Sequence, residues 1–281
     1  MEWLTIDVPY DRLGDPHHLT VYSDLHDDAS ACDAPKLDRH MKRRAALPNA
    51  MFFGNGDIGN WVMPGTDRRH NPSTPLPELA HRDDYIDRAI EIQAERYRPY
   101  PWIAIGEGNH EEAIRRHHHT CVTSRLCKEL KVPFAGYSGM LNLRFTPKSK
   151  GADAKARCMV SILYHHGAWG GKVQKGFGGA RDFARAIEGW DIFTYGHNHQ
   201  LNIHQETRFA NDGKLGCGTR EVFFVNTGTF QKGLEIGGTA AYSEIKGYAP
   251  VSLAAPLIKL TPTKAGTGEY HVEISIEVGD C

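Results

Sequence analysis

Groups that can bind metal ions follow several short apolar runs of this sequence, at the point where each run ends. Along the chain these groups are Asp24 and His26, Asp57, Asn109 and His110, His165 and His166, and His197 and His199. Aspartate, asparagine and histidine together form a mixed oxygen and nitrogen ligand set, which suits first-row divalent ions. An isolated Asp-x-His is weak evidence, but the repeated coincidence at the ends of runs indicates a metal site.

The candidate groups are too many for a single ion, so the pattern indicates two ions. Two ions about 3.5 to 4 Å apart can clamp a phosphate group, hold a bridging hydroxide for in-line attack and neutralise the charge that develops. The chemistry that these residues indicate is therefore the hydrolysis of a phosphate ester.

The apolar runs that precede these groups are predicted to be strands. They cover residues 18–23, 50–54, 102–106, 159–164 and 191–195. Helical spacing predicts helices between them, over residues 36–47, 78–97 and 111–130. Such alternation is typical of a sheet covered by crossover helices, in which the carboxyl ends of the strands converge on one rim. From residue 201 onward, alternating segments predict a β-rich part with strands at 221–225, 256–260 and 271–276.

The composition is that of an ordinary globular protein and excludes a disordered chain. The sequence has 281 residues, of which 40% are hydrophobic and 24% are charged. A formal net charge of −1 provides no global field for nucleic acid, although a local basic cleft is compatible with it. The six cysteines are scattered without a Cys-x-x-Cys pair, so we expect reduced thiols.

Membrane association and export are not expected from the sequence. No apolar run approaches the roughly 18 to 20 residues that span a bilayer. The first ten residues carry Glu2 and Asp7 and lack a basic stretch followed by an apolar core, so they do not form a signal peptide pattern. We therefore expect a cytoplasmic protein. No sequence feature indicates an oligomeric state.

In order, type and spacing, the motifs of this chain resemble those of the calcineurin-like metallophosphoesterase family. The motifs are Asp24-x-His26, Gly56-Asp57, Gly108-Asn109-His110-Glu111, His166-Gly167 and Gly196-His197-x-His199. The resemblance covers about residues 18–230, and residues 225–230 and 248–250 resemble phage-encoded members. It implies one domain over residues 1–281, built as a four-layer α/β/β/α sandwich with two mixed sheets and completed by the β-rich C-terminal part.

The resemblance also implies a role for each site residue. One divalent ion would be held by Asp24, His26, Asp57 and His199, and the other by Asp57, Asn109, His166 and His197, so that Asp57 bridges them. His110 would bond the substrate phosphate and protonate the leaving oxygen. Manganese is the first expectation, with iron, zinc, cobalt or nickel as alternatives. The implied reaction is hydrolysis of a phosphomonoester or phosphodiester by a metal-bound hydroxide.

One departure from the family pattern concerns the fourth motif. The family has a single histidine there, whereas this chain has His165 and His166 side by side. Neighbouring side chains on a strand point in opposite directions, so only one of them can ligate. We expect His166 to be the ligand because it directly precedes Gly167 and a glycine-rich loop.

The same region supplies candidate substrate contacts. Asn109 and His110 are two of them, and Lys172 and Arg181 are cations that could hold a phosphate, with ordinary solvated charge as the competing interpretation. Trp61 in a neighbouring loop could stack on a base or pack its own loop.

Two other functions stay open at this point. A nuclease-like phosphodiesterase would act on DNA or cyclic nucleotides, with the loop at residues 59–77 forming a groove, although near-neutral charge disfavours long duplex DNA. A metal-stabilised binding protein without turnover is the alternative of another class. The presence of His110 argues against a non-catalytic site.

Overall fold

The computed structural model describes residues 1–63, 74–148, 156–169, 176–211, 217–233, 249–266 and 268–279. The helices are α1 Ala34–Ala45, α2 Tyr85–Tyr97, α3 Asn109–His118, α4 Val122–Leu130 and α5 Phe177–Arg185. The strands are β1 Glu2–Tyr10, β2 His17–Tyr22, β3 Ala50–Asn55, β4 Trp102–Gly106, β5 Ser138–Pro147, β6 Cys158–His165, β7 Ile192–Tyr195, β8 Leu201–Asn211, β9 Cys217–Thr227, β10 Leu257–Lys264 and β11 Tyr270–Glu277. The predicted alternation of strands and helices is therefore present.

Across the described ranges, the strands form two mixed sheets. One has six strands in the order β1-β5-β6-β7-β9-β8, and the other has five in the order β11-β10-β2-β3-β4. Strands β2, β3 and β4 run parallel, as do β6, β7 and β9. Parallel strands present their carboxyl ends at the same edge, so each sheet supplies a row of loops at one rim. Strand β10, from the C-terminal part of the chain, pairs antiparallel with β2 and extends the five-stranded sheet.

The two sheets face each other across an apolar core. Val21 and Phe53 lie opposite one another in β2 and β3, and Leu141 and Ile162 do so in β5 and β6. All four side chains are fully buried in the same cluster, because alternate residues of each strand point towards the other sheet. The mutual burial of the two inner faces therefore fixes the sheets against each other.

Helices cover the outer face of each sheet. Leu37 of α1, Tyr97 of α2 and Leu126 of α4 pack in one cluster with strand residues such as Phe52 of the five-stranded sheet. Ala180 and Ala184 of helix α5 pack on the outer face of the other sheet, in a cluster with the strand residues Leu163, Phe193 and Phe224. The layers are thus helix, sheet, sheet and helix. The predicted α/β/β/α sandwich with two mixed sheets is confirmed.

The structure differs from the sequence prediction in the segment 111–130. A single helix was expected there, but α3 ends at His118 and α4 begins at Val122. His119 adopts a left-handed conformation with φ of 55°, and Cys121 is extended, so the helical hydrogen bonds are interrupted. The histidine triplet at 117–119 therefore lies at the end of a helix and not in its middle.

Strands β1, β5 and β8 and helix α5 were not predicted individually from the sequence. Strands β1 and β5 pair in parallel at one side of the six-stranded sheet, with Leu4 opposite Leu141. Strand β5 is buried on both faces over much of its length, so its sequence lacks the alternation that identifies a strand.

The described cysteines Cys32, Cys121, Cys127 and Cys158 carry free thiols. Among the residues that the structure describes, no helix has the length and apolar character needed to traverse a bilayer.

We predict that Phe53→Ala lowers the free energy of unfolding by about 3 to 5 kcal/mol, because it leaves a cavity in the core between the sheets. The Phe53 ring is fully buried and meets the Tyr164 ring edge-on at 5.0 Å between centroids. Phe209→Ala is the control, since that side chain is 86% exposed. Chemical denaturation measures both. A cost below about 1 kcal/mol for Phe53→Ala would contradict the core assignment.

Candidate metal centre

The predicted ligands lie in loops that follow parallel strands of both sheets. Asp24 and His26 follow β2, Asp57 follows β3, Asn109 and His110 follow β4, His166 follows β6, and His197 and His199 follow β7. Backbone hydrogen bonds join these loops. Leu25 N donates to Asp57 O over 2.9 Å, and Gly196 N donates to His166 O over 2.7 Å. Within each sheet, hydrogen bonds between neighbouring loops therefore connect the predicted ligands.

The Asp24 carboxylate connects the two sheets. Its Oδ1 and Oδ2 accept from the backbone N of His197 over 3.1 Å and 3.0 Å, and Ser23 Oγ donates to Oδ2 over 2.7 Å. Asp24 follows a strand of the five-stranded sheet and His197 follows a strand of the other. The two rows of loops therefore meet at one place.

Asp24, His26 and His199 form a first group that could hold a metal ion. Their ligand atoms lie within 4.8 Å of one another. The Nε2 atoms of His26 and His199 are 3.3 Å apart, and His199 Nε2 lies 3.5 Å from Asp24 Oδ1. Two imidazole nitrogens and a carboxylate oxygen thus converge on one point.

Asp57, His166 and His197 form a second such group. His166 Nε2 lies 3.1 Å from Asp57 Oδ2 and 3.1 Å from Asn109 Oδ1. His197 Nδ1 contacts the same Asn109 oxygen over 2.7 Å. The amide oxygen of Asn109 therefore lies against both histidines of this group.

Asp57 also belongs to a third group, with His26 and His110. His110 Nε2 lies 4.0 Å from Asp57 Oδ2, and the rings of His26 and His110 are 4.7 Å apart between centroids. Asp57 thus belongs to two groups, one with His26 and His110 and one with His166 and His197. This is the position expected of a bridging ligand.

The hydrogen bonding of His166 provides a direct test of whether a cation fits. Its Nδ1 lies 2.9 Å from the carbonyl oxygen of Asn55, which can only accept, so Nδ1 carries the hydrogen. In the neutral ring, Nε2 then presents a lone pair to the oxygens of Asp57 and Asn109. These atoms would hold a metal ion that accepts their lone pairs, and a histidine that donates its other N–H to a backbone carbonyl is the usual metal ligand. The donor set therefore fits a divalent ion.

The backbone at the candidate ligands is held in an unusual conformation. In the described ranges, positive φ angles of 46° to 72° occur at Asp24, His26, Asp57, His197 and His199. Side chains other than glycine rarely adopt this left-handed region, which costs about 1 to 3 kcal/mol per residue and clusters at functional sites. Five of the predicted ligands share this conformation, so the backbone is locally strained where it positions them.

Close packing around Asp57 requires glycine at position 108. A Cβ atom built on Gly108 would lie 2.2 Å from Asp57 Oδ1 and 2.6 Å from Asp57 N. Any side chain there would displace the carboxylate. The glycine that precedes Asn109 in the third motif is thus explained by the position of the aspartate from the second motif.

Glu111 has a positioning role that sequence reasoning missed. Its buried carboxylate accepts hydrogen bonds from the backbone N of Asp57, Gly59 and Gly108, over 3.0, 3.1 and 2.8 Å. Burial raises the pKa of Glu111 to about 8, and Asp57 adds to the rise. A glutamate three residues after a helix N-cap is the signal that could have identified it.

Charges within the cluster influence one another strongly. Burial opposes ionisation of Asp57, but His166 and His110 hold the pKa of its carboxyl well below the usual range. The pKa of His166 is raised to about 10, since the attraction of Asp57 outweighs burial. Burial raises the pKa of Asp24 to about 7 and lowers that of His199 to about 4. These shifts favour an ionised Asp57 carboxylate beside a cationic or metal-bound His166.

The two adjacent histidines of the fourth motif lie in different surroundings. His166 is fully buried in the ligand cluster. His165 Nδ1 instead accepts from Gly167 N over 2.8 Å, and its ring packs between Trp169 and Phe183 at 4.8 and 4.9 Å. The structure thus places His166, and not His165, against the other ligands.

The remaining candidates lie elsewhere. Arg181 is on α5, where its guanidinium pairs with Glu206. Lys172 lies outside the described residues. Trp61 is buried and packs edge-on against Tyr85, with 6.5 Å between ring centroids, so it supports its own loop. The described contacts of Arg181 therefore do not include the cluster.

We predict that Gly108→Ala weakens Mn²⁺ binding by roughly 10- to 100-fold, since the added methyl group displaces Asp57. Gly218→Ala is the matched control, because its Cβ would meet nothing within 4 Å. Calorimetric titration of the metal-free proteins measures both affinities, and circular dichroism verifies folding. Equal affinity of Gly108→Ala and the unmodified protein would contradict the placement of Asp57.

Comparisons with known proteins identify structures of similar extent but low similarity. No protein-family model matches the chain, and no curated protein matches it. The structure of vacuolar protein sorting 29 from Cryptosporidium parvum is 12% identical, with 94% of this chain and 99% of that chain covered and a TM-score of 0.37. For Vps29 of Chaetomium thermophilum the identity is 11%, the coverage 93% and 95%, and the TM-score 0.28. For Vps29 of Entamoeba histolytica the identity is 11%, the coverage is 93% of this chain and 99% of that chain, and the TM-score is 0.30.

Proposed function

We propose that this protein is a dinuclear metal-dependent phosphoesterase of the calcineurin-like metallophosphoesterase type. The supporting observation is the position of Asp57, whose carboxylate belongs to ligand groups on two sides of one buried cluster. Each group combines a carboxylate with histidine nitrogens, as a pair of first-row divalent ions requires. The described residues act as one unit in this proposal, since β10 completes the sheet that carries Asp24 and Asp57.

Each side chain of the cluster has a place in this proposal. Asp24, His26, Asp57 and His199 would hold one ion, and Asp57, Asn109, His166 and His197 the other. Two ions bound there would polarise a phosphoryl oxygen, neutralise its charge and activate a water molecule for in-line attack. Manganese is the first candidate, with iron, zinc, cobalt or nickel as alternatives that the same donors accept.

His110 is the proposed catalytic residue. Its Nδ1 contacts the carbonyl oxygen of Asn60, which can only accept a hydrogen, so Nδ1 carries the hydrogen and Nε2 lies on the side of Asp57. A protonated Nε2 would donate to a substrate phosphate oxygen and then transfer its proton to the leaving oxygen. Asn109, at the start of the same helix, is the neighbouring candidate for a substrate contact.

The proposed function is tested by assaying metal-stripped protein after reconstitution with Mn²⁺. Hydrolysis of p-nitrophenyl phosphate and bis(p-nitrophenyl) phosphate is measured side by side, with metal content determined on the same sample. We expect metal-dependent turnover, and the ratio of the two rates assigns the enzyme to monoesters or diesters. Two bound ions without turnover of either ester would favour the non-catalytic binding protein instead.

We predict that Asp57→Asn abolishes turnover and lowers the bound metal, because the bridging ligand loses its charge. Asp87→Asn is the control, since this carboxylate is 64% exposed and pairs with Arg125 on the surface. Metal analysis and the Mn²⁺-dependent rate are compared for both variants. Unchanged stoichiometry and rate in Asp57→Asn would contradict the dinuclear assignment.

We predict that His110→Ala retains both ions but lowers kcat by roughly 10²- to 10⁴-fold, the usual scale for a general acid. His117→Ala is the control, because His117 is exposed on the same helix. Loss of metal in His110→Ala would show instead that His110 is a ligand, as its group with His26 and Asp57 would permit.

A further inference from the structure

A buried carboxylate, Asp28, lies behind the proposed catalytic histidine and outside the ligand cluster. Its Oδ1 accepts from Asn60 N, and its Oδ2 accepts from Trp61 N over 3.2 Å and from Tyr85 Oη over 2.6 Å. The side chain is 3% exposed. One carboxylate therefore binds two successive backbone N–H groups of the loop after β3 and anchors them to helix α2.

The same stretch of backbone contacts His110. The Asn60 carbonyl oxygen accepts from His110 Nδ1, while the Asn60 N–H donates to Asp28. A backbone carbonyl can accept but not donate, so its position decides which imidazole nitrogen carries the hydrogen and how the ring is turned. Holding the Asn60 backbone thus holds the His110 ring.

The loop needs this support because its backbone is not in a relaxed conformation. Trp61 has φ of 49°, in the left-handed region. Its indole packs against Tyr85 in an apolar cluster that includes Ile90 of α2 and Ile114 of α3. Without Asp28, the N–H groups of Asn60 and Trp61 would be buried without this acceptor, and the loop would be free to relax.

We propose that Asp28 is a positioning residue that orients His110 through the Asn60 backbone. Asp28 touches neither substrate nor metal in this scheme. It keeps the Asn60 carbonyl against His110 Nδ1, so that Nε2 stays directed towards Asp57. The effect of Asp28 on catalysis rests on the proposed function, whereas its effect on the ring of His110 does not.

Asp27 provides a matched control. It is the adjacent residue, is 2% exposed, and also binds side chains of helix α2. Its oxygens accept from Gln93 Nε2 over 2.6 Å and from Tyr97 Oη, and Arg96 lies 3.8 Å away. The described contacts of the Asp27 carboxylate do not include Asn60, so its removal weakens the fold without turning His110.

The kinetic test compares Asp28→Ala, Asp27→Ala, His110→Ala and the double variant Asp28→Ala/His110→Ala in the Mn²⁺-loaded protein. We expect Asp28→Ala to lower kcat roughly 10- to 100-fold with metal content and KM near their original values. In the His110→Ala background, the same change should alter kcat less than about twofold, because residues that act through one another are not additive. Asp27→Ala should leave kcat unchanged.

The dependence of the rate on the leaving group distinguishes a role through His110 from a purely structural role of Asp28. If Asp28 acts through His110, Asp28→Ala should lower the rate more for phenyl phosphate than for p-nitrophenyl phosphate, since the poorer leaving group needs protonation more. Equal losses on both esters, or full additivity with His110→Ala, would overturn the proposal.

Tyr85→Phe keeps the test decisive if Asp28→Ala does not fold. It removes the hydroxyl group that donates to Asp28 and leaves the ring in place. Tyr97→Phe likewise removes the hydroxyl group that donates to Asp27. We expect Tyr85→Phe to lower kcat and Tyr97→Phe to leave it unchanged. Equal effects of the two variants would overturn the proposal.

A measurement on the ring of His110 separates this inference from the proposed function. In ¹⁵N-labelled protein, the imidazole nitrogen shifts report which nitrogen carries the hydrogen. We expect His110 to hold the hydrogen on Nδ1 in the unmodified protein and to lose this preference in Asp28→Ala but not in Asp27→Ala. If the protein lacks phosphoesterase activity, the proposed function fails and this result still decides the role of Asp28. An unchanged His110 signal in Asp28→Ala would overturn it.

Discussion

The buried Asp57 carboxylate is the constraint on which the site depends. A charged carboxylate in the interior is costly unless cations or hydrogen-bond donors surround it. Here His166 and His110 hold the pKa of the Asp57 carboxyl well below its usual range against the effect of burial, and the backbone N of His110 donates to Asp57 Oδ1 over 2.9 Å. Its own backbone is held on both sides, because Asp57 N donates to Glu111 and Asp57 O accepts from Leu25 and His26. Ligand loops from three strands are therefore ordered around one side chain.

The two facing sheets make this arrangement rigid. Their parallel strands direct loops to the same rim, and the buried inner faces prevent one row of loops from sliding past the other. Five ligand candidates hold left-handed backbone angles, at about 1 to 3 kcal/mol each, which only a well-packed scaffold can sustain. The packed core thus stabilises the strained backbone of the rim loops, and this backbone conformation directs the donor atoms of the candidate ligands into the cluster.

The grouping of the candidate ligands could be predicted from the sequence because they follow strands, and strand ends are visible as apolar runs that stop at polar residues. The supporting contacts could not. Asp28 binds backbone N–H groups of a distant loop, and such contacts leave no spacing pattern. Glu111 has the spacing of a helix N-terminus, but that spacing does not reveal its contact with the Asp57 backbone. Helix α3 and helix α4 were merged because apolar periodicity continues across the left-handed turn at His119. Strands β1 and β5 were missed since pairing partners far apart in sequence define them.

The proposal that Asp57 would hold both metal ions is tested most directly by anomalous diffraction from crystals grown with Mn²⁺. We expect two anomalous peaks, one on each side of the Asp57 carboxylate. One peak should contact Asp24, His26 and His199, and the other Asn109, His166 and His197. A single peak, or two peaks that leave Asp57 without a metal contact, would contradict the proposal.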